Sequence, residues 1–239
     1  MNDNEFEGLP DNDWDDTWDF AWSEFEWEKH LREQDKVLHT YLSHYDKLTE
    51  RSDRIDEVAH LMGWDQEEWT SEEVDVENPD EEPEGAFEPF TETDHPEADR
   101  AVDPYTIHKH PVYVSTRALF LWLQRSWEFV APACGSRMPV RVSVAFATAL
   151  ARAEHNSVLA TQALDMGDFS LAVSQVKRAM AELNLALRQL QSLDDGLHPA
   201  FAQFRHQALI RLFDIREIWL RVMRDCREEL DRRVSEGEN

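Results

Sequence analysis

The cleanest apolar pattern in the chain runs from Phe169 to Leu190. Phe169, Val173, Val176, Met180, Leu183, Leu187 and Leu190 recur at steps of four and three, and Ala172, Ala179 and Ala186 widen the same face. That spacing is one stripe of an α-helix. Similar stripes flank it. Leu119, Trp122, Leu123, Trp127 and Val130 predict a helix over about 115–131, and Phe146, Leu150, Val158 and Leu164 mark an alanine-rich helix over about 140–166. Phe201, Phe204, Ala208, Leu212, Ile215, Trp219, Val222, Cys226 and Leu230 form the face of a last, longer helix.

Punctuation agrees with this division. Pro132, Gly135 and Pro139 predict the first turn, Gly167 closes the second helix, and Asp168 caps the third. Pro199 suits the first turn of the fourth helix, where its missing N–H costs nothing. Four helices joined by short turns predict an antiparallel, up-down-up-down four-helix bundle over 113–235. The segment ALDMGDFSLAV resembles the turn between the two helices of a tetratricopeptide repeat, with Gly167-Asp168 at the turn and Ala172 beyond it. The resemblance covers about one repeat-length, and the flanking helices are too long for that family's period of about 34 residues.

The first half carries one further stripe. Trp27, Leu31, Gln34, Leu38, Tyr41, Tyr45, Leu48, Ser52, Ile55, Ala59 and Met62 follow heptad-like steps, predicting a long amphipathic helix over 19–63. Ser52-Asp53 offers a second helix start, so a break near 52 is expected if the helix is not continuous. Gly63 ends it. Residues 64–112 are dense in Asp and Glu and punctuated by Pro79, Pro83, Pro89, Pro96 and Pro104, which predicts an acidic, unstructured linker. Phe87 and Phe90 are its expected anchors. Residues 1–18 form an acidic, Trp-rich arm.

Charge sharpens this division. The formal net charge is −26; residues 1–105 hold 35 acidic and 7 basic residues, against 15 and 17 in the remainder. So negative a first half argues against direct binding of nucleic acid or an anionic membrane surface, both of which call for clustered Lys and Arg. It favours a partner with a basic surface. No apolar run is long enough to span a bilayer, and the N-terminus lacks signal-peptide features, so a cytoplasmic location is expected. Cys134 and Cys226 fall near opposite ends of the expected bundle, far beyond disulfide reach, which predicts two free thiols.

Candidate chemistry is sparse. Glu57 and His60 have the i, i+3 spacing used in pairs by di-iron bundles, but the motif occurs once. His108 and His110 are a weaker metal candidate in a Pro-flanked entry to the bundle. Arg54 and His60 have the Arg-then-His spacing of a helical ribonuclease of the HEPN type, yet they precede the bundle rather than closing it. No phosphate loop, nucleophile elbow or paired-Cys spacing occurs. No cofactor and no small-molecule substrate are expected.

The aromatic series is the feature that speaks to function. Trp14, Trp18 and Trp22 recur every four residues among carboxylates, with Phe25 and Trp27 following. Trp leads interface hot spots, so the segment suits docking into an apolar groove with a basic rim, in a protein partner or a second copy, or else packing back on its own bundle. Arg221, Arg224 and Arg227 recur at three-residue steps and are the internal candidates to receive the acidic arm. The expected protein is therefore a non-catalytic helical adaptor. The alternatives are an acidic decoy that mimics nucleic acid and a metal-dependent helical-bundle enzyme.

Overall fold

A computed structural model describes residues 22–64 and 106–237. The described residues are predominantly helical and contain no strand. The arm at 1–18, with Trp14 and Trp18, and most of the expected linker, with Phe87 and Phe90, lie outside the described residues.

Among the described residues six α-helices follow in order: α1 (Glu24–Lys47), α2 (Arg54–Leu61), α3 (Pro111–Ala133), α4 (Val140–Asp165), α5 (Phe169–Gln191) and α6 (Pro199–Gly237). The chain divides into two compact units, one ending at Lys36 and the other beginning at Val37, so the boundary falls within α1.

In the first unit, the start of α1 is built from two local devices. Ser23 and Glu26 form a capping box: Ser23 N–H donates to Glu26 Oε2 at 2.7 Å and Glu26 N–H donates to Ser23 Oγ at 3.3 Å. Across that box, the rings of Trp22 and Trp27 meet at 5.1 Å. These are the positions just before the cap and four residues after it, which makes the pair a hydrophobic staple. The Ser23 side chain and backbone N–H hold the Glu26 carboxyl below its ordinary value. A carboxyl lowered by folding stabilises above its unfolded pKa, about 4.3, and that contribution vanishes as pH falls through the folded value. Protection of the Ser23, Glu26 and Trp27 amides, taken relative to the intrinsic exchange rate, is therefore expected to fall as pH drops below about 4. In Ser23→Ala the same amides should already be fast at neutral pH. Unchanged protection in Ser23→Ala would show that the staple alone holds the helix start.

The second unit has its core in α3–α6. Close packing joins α3 to α4 and α6, and α5 to α4 and α6. The expected stripes supply this core: Leu119, Leu123, Phe146, Leu150, Leu183, Leu190, Phe201, Leu212 and Trp219 are fully buried. Two His-Pro pairs start helices here. His110 Nδ1 accepts from Val112 N–H, and His198 Nδ1 accepts from Ala200 N–H, both at 3.1 Å, with Pro111 and Pro199 at the first helical position. The turn at Gly167 is a Schellman motif. Asp168 N–H reaches Ala163 O and Gly167 N–H reaches Leu164 O, with Gly167 at φ +69°. Asp168 then caps α5 by accepting from Leu171 N–H at 2.9 Å. Cys134 and Cys226 are buried and free.

Several boundaries differ from expectation. Of the two forms expected for the stripe over 19–63, the broken one is found: α1 stops at Lys47 and α2 starts at Arg54, after Ser52-Asp53. Thr49 Oγ1 donates back to the carbonyls of Tyr45 and Asp46, and Arg51 folds onto Asp53, so the intervening residues spend their polar groups on a turn. The break changes the buried face too, and Val58 is fully buried although it lies off the expected stripe. Helix α3 begins at Pro111, four residues earlier than expected, and runs through Pro132, with Cys134 N–H still reaching Val130 O.

Candidate functional site

The described aromatic candidates have separate fates. Trp22 and Trp27 are engaged in the staple, and both rings lie against His30, at 5.3 and 6.0 Å, leaving that imidazole buried. Phe25 points away and is 77% exposed. Along the expected stripe of α1, exposure changes sharply: Trp27 and Leu31 are 40% and 41% exposed, whereas Leu38, Tyr41 and Tyr45 are buried.

The buried part of that stripe leads to a polar cluster on α6. Asp214 lies in the middle of α6 with its side chain 7% exposed. Arg54 grips it with two of its three guanidinium nitrogens, Nε to Oδ2 and Nη2 to Oδ1, each at 2.6 Å. Tyr45 Oη donates to the same Oδ2. Three of about four acceptor sites on this carboxylate are thereby filled. It is an anchor for two donors rather than a free base. Pairing with Asp214 raises the Arg54 guanidinium further above its ordinary range.

Arg211, one turn earlier on α6, is buried to 2% exposure. Its guanidinium lies 3.7 Å from the centroid of Trp122 and 5.1 Å from that of Tyr45. It donates to Asp46 Oδ1 at 2.5 Å and to Gln207 Oε1 at 2.8 Å, while its Nε has no partner among the described residues. Burial lowers the Arg211 pKa, opposed by Tyr45 and Asp46. Tyr41 stacks near Tyr45 and Trp64, with centroids 6.2 and 5.8 Å apart, and burial raises both tyrosine hydroxyls well above the usual phenol range.

Further along α6, Arg221 pairs with Asp56 of α2 and with Glu217 of its own helix. One of the two acids that meet this arginine thus comes from α2. Arg224 pairs with Asp225 and Glu228 on α6 itself, and Arg227 is exposed. Among the metal candidates, Glu57 pairs with Arg51 at 3.0 Å. His60 lies in the last turn of α2, and His108 packs edge-on against Tyr113 at 5.1 Å. His110 spends Nδ1 on the α3 cap, and burial lowers its pKa, which keeps that nitrogen free to accept. Among the described residues no group of three or more His, Cys, Asp or Glu is placed to hold a metal ion.

An apolar groove of about 290 Å³ between α3 and α6 is lined by Trp122, Phe129, Val130 and Phe204, with Gln203 and Gln207. Its size falls at the lower limit of small-molecule pockets. Among the described residues no helix is long and apolar enough to cross a membrane.

The clamp at Asp214 was missed at the sequence level, although a signal exists. Tyr41 and Tyr45 sit in an apolar stripe, and a buried tyrosine hydroxyl generally needs a polar partner. Arg211 and Asp214 interrupt a helix whose neighbours Leu212 and Ile215 are core. Charged groups in that setting are normally paired. No protein-family model matches this chain, and no curated protein or solved structure matches it.

Proposed function

We propose that this chain is a non-catalytic helical interaction protein, an adaptor or assembly subunit. In this reading α3–α6 are an up-down-up-down bundle that serves as scaffold. The packing of α3 and α5 each against α4 and α6, through short turns, supports it. The recognition element is the start of α1 with the acidic, Trp-rich arm before it. The acidic linker expected over 64–112 stands between the α1–α2 segment and the bundle.

One observation carries the proposal: a single apolar stripe on α1 is buried from Leu38 onward but exposed at Trp27 and Leu31, with Phe25 beside it. Exposed apolar side chains at helical spacing, preceded by carboxylates, suit a groove with apolar walls and a basic rim. The partner is a protein with such a surface or a second copy of this chain.

The test compares the full chain with a Phe25→Ser/Leu31→Ser variant, both sites being exposed and outside the staple. Affinity capture from native cell extract at low and high salt is paired with sedimentation of the purified protein. We expect the variant to lose a partner, or a self-associated species, that the parent retains, with the loss deepened by salt. Equal capture and equal sedimentation of the two proteins would overturn the assignment to α1.

A further inference from the structure

The way α2 and the second half of α1 meet α6 differs from the way the other helices meet. Close backbone packing joins α3, α4, α5 and α6, whereas among the described residues α1 and α2 come no nearer than side-chain contact with that core. Long side chains bridge the gap instead. Tyr45 and Arg54 reach Asp214, Arg211 reaches Asp46, and Arg221 reaches Asp56. Apolar burial adds to this through Leu38, Tyr41 and Val58. Some 41 residues, 65–105, separate α2 from the described start of the α3 segment.

We propose that residues 37–64 form a latch on α6, which opens as one unit while α3–α6 stay folded. The closed latch is fixed at one buried carboxylate, Asp214, which is gripped from both of the latch's helices at once, so the two helices are released together. Opening uncovers Tyr41, Tyr45 and Trp64 on the latch and the Asp214 carboxylate on α6. The occupant the uncovered α6 face fits is a protein segment presenting an arginine flanked by apolar residues, since that repeats the grip of Arg54. This inference concerns α6 and is independent of the role given to the start of α1.

Native-state hydrogen exchange on the full chain tests it, because subglobal openings appear as amides that exchange as a group ahead of global unfolding. In the parent protein, amides of 41–47 and 58–61 are expected to share one opening, at least about tenfold more frequent than that of α4 and α5. Asp214→Asn is expected to increase opening at both sets by about tenfold or more and to leave α4 and α5 within about twofold. Arg54→Ala provides a second variant that leaves α6 itself unaltered and carries the same expectation. Exchange of the two latch sets at the rate of α4 and α5 would overturn the proposal. So would a response to Arg54→Ala confined to α2, because the helices would then open separately.

Discussion

Replacing Trp219 by alanine is expected to destabilise the protein by about 4 kcal/mol, a large fraction of the stability of a typical domain. The residue is 1% exposed on α6. Its ring lies 6.0 Å from that of Phe120 on α3, and its indole N–H donates to Ser157 Oγ on α4 at 3.2 Å. Alanine removes the ring from a site where three helices meet, leaving a cavity that stiff neighbours fill only in part. Trp219→Phe separates the two contributions. Phenylalanine retains most of the aromatic volume, and Ser157 keeps Thr116 within 3.4 Å, so the expected cost is about 1–2 kcal/mol. Thermal unfolding followed by far-UV circular dichroism should show Trp219→Ala melting about 8–16 °C below the parent, at roughly 2–4 °C per kcal/mol for a chain of this size. A shift of under a few degrees would mean that the α3–α4–α6 junction repacks freely.

Arg211 is the second large case, and here the question is which property matters. Its side chain is buried, but Asp46 is 53% exposed and can return to water when the arginine is lost. The ion pair is therefore worth little by itself. Stacking on Trp122 and Tyr45 and the burial of the alkyl stem dominate. Arg211→Ala is expected to cost about 2–3 kcal/mol, whereas Arg211→Met, which retains the stem, should cost under about 1 kcal/mol. Denaturant unfolding of the two variants side by side decides the matter. Equal losses would assign the stabilisation to the charge and its hydrogen bonds instead.

How far the sequence discloses this molecule depends on the distance over which each feature is encoded. Helix α5 is readable because its stripe, its Asp168 cap and the Gly167 turn before it are all local. The same holds for Gly63, where Trp64 N–H reaches Ala59 O and Gly63 N–H reaches His60 O. The start of α1 was also legible in principle, since Ser23-x-x-Glu26 is a capping box and Trp22 and Trp27 stand at staple spacing. Reading the tryptophans as a four-residue ridge concealed that, because Trp22 to Trp27 is a step of five. The polar cluster belongs to a different category. Tyr45 and Arg54 meet a carboxylate some 160 positions away, and no window along the chain contains both donors and acceptor. Of the expected site, the sequence conveyed the residue types that could recognise a partner. It could not convey that α1 buries only half of its stripe, because that depends on what packs against it.

The turn between α1 and α2 has a consequence for how this segment tolerates change. On one continuous helix, Tyr45 and Arg54 would stand about 13.5 Å apart along the axis and on opposite faces, since nine residues amount to two and a half turns. Only because the chain bends back do both side chains arrive at Asp214. Residues 48–53 are therefore held to a turn, which their own polar groups also favour. Substitutions that raise helix propensity there would favour a straight rod, and the straighter that rod became, the further its two donors would be drawn from the carboxylate they share.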